Sequence, residues 1–136
     1  MSEANKAQVR RVIEEVYNRG DLAAVDTLTA SDLVIHAASR EIRGPDGAKQ
    51  YVAALRAAFP DIRFVIDDQI AEGDMVVTRW TARGTHAGPF ESVPATGRKI
   101  RLTGTDVDRI VDGRIAECWA EADELGLMRQ LGVEKT

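Results

Sequence analysis

The spacing of apolar positions changes along this chain, from a period near 3.6 residues before Pro60 to strict alternation after it, so helices are predicted first and strands second. Val9, Val12, Ile13, Val16 and Tyr17 fall at i, i+3, i+4, i+7 and i+8, the stripe of an amphipathic helix, and Gly20 stands where helices commonly end. Asp21 is placed to cap a second short helix burying Leu22, Val25 and Leu28. Leu33 to Ala37 reads as a short strand, with His36 on the face opposite Leu33 and Ile35 and beside Val34 and Ala38. Ser39 to Gly44 reads as a loop. Pro45 then opens a helix that packs Tyr51, Val52, Leu55 and Phe59 and stops at Pro60.

After Pro60 the pattern is that of two hairpins. Ile62, Phe64 and Ile66 alternate with Arg63, Val65 and Asp67; Glu72-Gly73-Asp74 makes the turn, and Met75 to Arg83 returns. Arg79, Thr81 and Arg83 face one way, whereas Val76, Thr78, Trp80, Ala82 and Gly84 face the other, inner way. The irregular stretch GTHAGPFESVPATG follows, a long connection of the kind that forms lids and binding loops as well as plain hairpin links. A second hairpin pairs Lys99 to Ile110 with Arg114 to Ala122 across Asp112-Gly113. Asp123 is an N-cap for a last helix through Leu125, Leu127, Met128 and Leu131. Helices gathered on one face of a curved antiparallel sheet give an α+β fold with a pocket between the layers.

Composition narrows the function. The 136 residues show no break and are read as one domain over residues 1–136, large enough for a core with a cavity in it. With 18 basic against 22 acidic residues the net charge is −4, and the basic residues are scattered, which argues against nucleic acid and membrane surfaces as partners. MSEANKAQVRR has no apolar signal region, and no apolar run reaches the length of a membrane span, so a soluble, cytoplasmic protein is expected. Cys118 is the only cysteine and has no CxxC or Cys/His cluster around it, so no structural metal site is expected.

The candidate chemistry comes from strand alternation. Ile100, Leu102, Gly104, Asp106 and Asp108 share the apolar face of their strand. A carboxylate there is costly to desolvate, and that cost raises a carboxyl pKa into the range useful for acid or base work, unless the face is open and wet at that point. Asp106 is therefore the first catalytic candidate. His36, at the end of its strand, is either a hydrogen-bonded bystander or a base reaching into the cavity. His86 and Phe90 in the long loop are positioned to meet a ligand. On the last strand, the small residues Ala116, Cys118, Ala120 and Ala122 share one face and leave room for a pocket lining or a closely packed helix.

The order of elements, with GTHAGPF, PATGRKI, GTDVDRIVDGRIAECW and DELGLMRQLG, resembles the SnoaL-like polyketide cyclases of the nuclear transport factor 2-like superfamily, which also contains steroid isomerases. The resemblance covers nearly the whole chain. It implies a cone-shaped α+β barrel around a deep hydrophobic pocket, no cofactor, a small apolar molecule as partner and a homodimer. It implies a cofactor-independent cyclase or isomerase acting on an apolar carbonyl compound; a hydrolase or dehydratase on the same fold, or a binding protein without chemistry, are the other readings. Cyclases of this family pair an acidic residue on the last strand with a His on the strand before it. Those positions fall on Ala120 and Asp106 here, so neither matches in kind. The mechanism implied has Asp106 take a proton α to a carbonyl and His36 or His86 supply one to the opposing oxygen. Tyr17 would donate a hydrogen bond, and Trp80 and Trp119 would form walls. Arg79, Arg83, Arg101 and Arg109 are outward and read as a solvated face or a polar interface.

Overall fold

The computed structural model describes residues 2–133. It bears out the α+β reading: four α-helices pack against a curved, unclosed sheet of six strands. Helix α1 (Ser2–Arg11) runs into a π-helical segment, Val12–Asn18, and a short α2 (Ala24–Leu28) follows. Strands β1 (Thr29–His36) and β2 (Glu41–Arg43) precede α3 (Gly44–Ala58). Then come β3 (Arg63–Glu72), β4 (Met75–Thr85), β5 (Lys99–Val111), β6 (Arg114–Ala122) and α4 (Glu124–Gln130).

The sheet order is β2-β1-β6-β5-β4-β3, antiparallel throughout except for the parallel pair β1 and β6. The loop expected over Ser39 to Gly44 thus contains a strand, β2, whose three residues are too few to show a period. The Asp-Gly turn closes β5 onto β6 with both Asp112 and Gly113 at positive φ, 51° and 75°, as a two-residue hairpin turn requires. Asp123 caps α4, its Oδ1 accepting from the Gly126 N–H at 2.9 Å. Asp21 does not cap α2 with its side chain. That helix has no side-chain cap, and it is the Asp21 carbonyl that accepts from the Ala24 N–H at 3.2 Å.

Alternation predicts the inner face well wherever no bulge intervenes. Val76, Thr78, Trp80 and Ala82 of β4 are buried, as are Ile100, Leu102 and Asp108 of β5. In β3 the register slips between Ile66 and Asp68, which turns Gln69 inward and leaves Ile70 68% exposed.

The buried apolar residues form two clusters. One joins α1, the π-helical segment and α3 to β1 and β6 through Val9, Val16, Leu33 and Val52; the other centres on Phe59, Ile62, Trp80, Leu102 and Leu127. Each such side chain contributes about 1.5–3 kcal/mol of burial. Between the two clusters the layers do not close, and the site lies in that gap.

Candidate functional site in the gap between two cores

A cavity of about 360 Å³ opens between the clusters, lined on one side by Ile13, Tyr17 and Tyr51 and on the other by Trp80, Leu102, Asp106 and Ala120. Its size is that of an ordinary small-molecule site. Ala120 lies directly opposite Asp106 across the β5–β6 ladder and makes the room that its spacing suggested.

Asp106 owes its place to strand geometry and to its neighbour Gly104. Trp80 of β4 is the register partner of Gly104, and its indole lies over the glycine, where a Cβ would come within 2.2 Å of Cζ2. The ring therefore reaches along β5 toward Asp106. Burial pushes the Asp106 carboxyl up to about 6, and the Trp80 N–H acts in the opposite direction by favouring the anion. The indole Nε1 and Asp106 Oδ1 are nevertheless both buried without a hydrogen-bond partner among the described residues. Asp108, two residues on and 5% exposed, is raised to about 7 by burial and then by the charge of Asp106, while the Cys118 thiol opposes the shift.

Two phenols face these carboxyls. Tyr17 is raised well above its ordinary value, first by burial and then by Tyr51, Cys118, Asp106 and Asp108; Tyr51 is pushed up to about 12 by burial and then by Asp106. Both phenols therefore remain protonated donors. Tyr17 is held by its surroundings: the Asn18 carboxamide bonds both backbone groups of Phe64, accepting at 2.7 Å and donating at 3.0 Å. Arg56 Nη1 donates to the carbonyls of Tyr17 and Asn18 at 2.8 and 3.0 Å, satisfying the end of the π-helical segment. The Tyr17, Phe64 and Trp80 rings then meet edge to face, with centroids 5.3 and 4.9 Å apart, as one wall of the cavity. Phe90 lines the cavity from the long loop and packs on Phe59 at 5.4 Å.

The structure brings together Asp106, Tyr17, Trp80 and Phe90. It separates them from the other three sequence candidates. His36 lies on the outer face of the sheet, its Nε2 at 2.6 Å from Glu117 Oε2, and its ring stacks on Trp119 at 5.5 Å. The reason is the parallel register of β1 and β6, which pairs His36 with Trp119 and turns both away from Ile35 and Cys118, the inward residues. Asp106 and His36 are thus on opposite sides of the sheet and do not form an acid/base pair, and Trp119 is not a cavity wall. His86 is fully buried beneath its own loop, Nδ1 at 2.9 Å from Thr96 Oγ1 and accepting from the Thr96 N–H at 3.2 Å, and its ring packs on Phe59. It lines neither described cavity.

Sequence reasoning missed Tyr51 and Asp108. Tyr51 shares the apolar stripe of α3, so its hydroxyl at the cavity looked like core. Asp108 was placed on the inner face by the same alternation that selected Asp106, and that signal was sufficient to find it. No cluster of three or more His, Cys, Asp or Glu able to hold a metal occurs among the described residues. Nor is any described helix long and apolar enough to cross a membrane.

Comparison with known proteins agrees with this architecture. The family model for SnoaL-like polyketide cyclase matches residues 7–131. Aklanonic acid methyl ester cyclase DnrD of Streptomyces peucetius is 32% identical over 128 residues, covering 91% of this chain and 88% of that protein. Among solved structures, IdmH from Streptomyces antibioticus superimposes with a TM-score of 0.83 at 34% identity, over 95% of this chain and 99% of that one. TsrD from Streptomyces laurentii does so with 0.88 at 30%, over 97% of each.

Proposed function

Because the chain belongs to the SnoaL-like polyketide cyclase family, we propose that it closes a ring in a polyketide-derived carbonyl compound by intramolecular aldol addition, with Asp106 as the acid/base group. The Asp106 carboxylate takes a proton α to a carbonyl, the carbanion adds to a second carbonyl of the same molecule, and the new alkoxide recovers the proton from Asp106. Atoms balance within one substrate, and the reaction needs no co-reactant. Tyr17 and Tyr51 donate hydrogen bonds to the oxygens on which charge develops, where a dry site gives such donors their largest effect. Trp80, Phe64 and Phe90 flank the substrate and exclude water.

The observation that supports this reading best is a desolvated carboxyl, unpaired with any cation, facing two protonated phenols across an apolar cavity. Aklanonic acid methyl ester, the compound named for its relative DnrD, is the first substrate to try. Ring closure followed by chromatography, with reversible deprotonation carrying solvent deuterium into the α position of unreacted ester, is the expected result for the wild type, and loss of both is expected for Asp106→Asn.

A second reading is a binding protein without chemistry. It is favoured by Ala120, which leaves Asp106 without an acidic partner on the last strand. Saturable binding of the ester with neither turnover nor deuterium exchange would select it.

A further inference from the structure

Beneath the main cavity lies a smaller one of about 50 Å³, lined by Asp106, Asp108, Thr78 and Cys118 and closed by apolar side chains such as Val12 and Val16. Its polar side follows from strand register. Asp106 and Asp108 sit at i and i+2 on β5, flanked by Thr78 and Val76 on β4 and by Ala120 and Cys118 on β6. Two carboxyls thus stand side by side facing one small space.

No Lys, Arg or His lines that space. The titratable groups facing the carboxyls are Tyr17 from the π-helical segment, Tyr51 from α3 and Cys118 from β6. β4 contributes only the uncharged Thr78 and Trp80. Every neighbour is therefore neutral, or an acid whose ionisation would add negative charge. Like charges at such a site oppose double ionisation. Asp108 is the more enclosed of the two and lies against the Cys118 thiol, whereas Asp106 opens to the larger cavity and faces the Trp80 N–H. Asp106 Oδ1 is buried without a partner, and the small cavity that the Asp106 side chain lines has volume and polar groups enough to admit a water molecule.

We infer that Asp108 is a positioning residue for Asp106: the two carboxyls form a dyad that shares one proton through the small cavity, Asp108 holding it while Asp106 carries the charge. A neutral Asp108 spares Asp106 the repulsion of a second anion. Asp106 is then ionised and available as a base near neutral pH, whereas a charged Asp108 would hold it protonated. This inference rests on the acid/base reading of Asp106 and extends it to the group that sets its charge.

The test is a carboxyl carbon NMR titration of protein labelled at aspartate, in the wild type, Asp106→Asn and Asp108→Asn, with amide spectra as the check on folding. In the wild type Asp106 ionises first and Asp108 at higher pH, each resonance showing a small inflection at the other's midpoint. Asp106→Asn lowers the Asp108 midpoint by on the order of one pH unit, because the neighbouring charge is gone. Asp108→Asn removes the upper step and leaves the Asp106 step near its place, since Asn stands in for a neutral acid. An Asp108 that ionises before Asp106, or whose midpoint is unmoved in Asp106→Asn, overturns the dyad. If a variant fails to fold, the wild-type inflections decide, and their absence also overturns it. None of these results depends on turnover. A coupled pair in a protein that converts no substrate would count against the proposed reaction and leave the dyad standing.

Discussion

Trp80 and Gly104 face each other across the β4–β5 ladder so closely that the glycine's missing side chain is filled by the indole. An added Cβ would meet Cζ2 at 2.2 Å and the Glu121 carbonyl oxygen at 2.7 Å. Neither the packed ring nor the backbone of β6 can move away freely. Gly104→Ala is expected to lose about 1–3 kcal/mol of stability through overpacking, measured by urea denaturation. It should also shift the emission of buried Trp80, because the indole must leave its place beside Asp106.

Removing the carboxyl of Asp106 should cost the most activity. A positioned acid or base contributes on the order of 10²- to 10⁴-fold, and a loss of kcat of that size is expected for Asp106→Asn with substrate binding retained. Tyr17→Phe and Tyr51→Phe each remove one hydrogen-bond donor and keep the ring, so smaller losses, again in kcat, are expected. Steady-state kinetics of the three variants with the ester substrate make the comparison.

His36 provides the opposite control. Its partners are Glu117 and Trp119 on the outer face, and Glu117 in turn receives Arg109 at 3.3 Å. His36→Gln should leave cyclisation and ligand affinity at wild-type values. A solvent-screened surface contact of this kind contributes little to stability, so the melting temperature should move little. A large loss of activity would return His36 to the mechanism.

Stability should fall as pH rises from about 4 to about 7. Asp106 and Asp108 have folded-state values of about 6 and about 7, above the ordinary carboxyl value they take in the unfolded chain. Between those limits the folded state binds more protons than the unfolded one, so the derivative of unfolding free energy with pH is negative. The contribution is fully present below the unfolded value and is lost once both folded carboxyls ionise. Glu117 and Asp61, held below the ordinary range by His36 and by Thr85 respectively, act with the opposite sign, and only at more acid pH. Urea denaturation at pH 5 and pH 8 should show the wild type weaker at pH 8, and an Asp106→Asn, Asp108→Asn double variant should flatten the difference.

How far the sequence reveals the site can be judged from β1 and β5. On β5 a single alternation carries Ile100, Leu102, Asp106 and Asp108 inward without interruption, and the carboxyls stand out because their neighbours are apolar. On β1 the same rule already placed His36 opposite Leu33 and Ile35. Only the residue type of His36, and not its face, points to a base. Trp119 was likewise on the face opposite Cys118 and Ala120. What no period reveals is which strands become neighbours. The parallel pairing of β1 with β6 joins residues some eighty positions apart, β2 is too short to show alternation, and the bulge after Ile66 reverses the phase of β3 within one strand. Tyr51 illustrates a different gap: a helix stripe identifies the buried face but not the place on that face where the core leaves a hole.

The central position of β6 bears on how the chain is made. It is the last strand to be synthesised, and it alone joins β1 and β2 to the meander of β3, β4 and β5. Without β6 the remaining strands have no ladder joining β1 and β2 to β3, β4 and β5, and the floor of the cavity lacks Cys118 and Ala120. Contacts of such sequence separation form late and slowly. Asp106 lies between β4 and β6 in the sheet, so its enclosure is complete only once β6 is paired. The burial that raises its carboxyl therefore depends on the pairing of the strand that is made last.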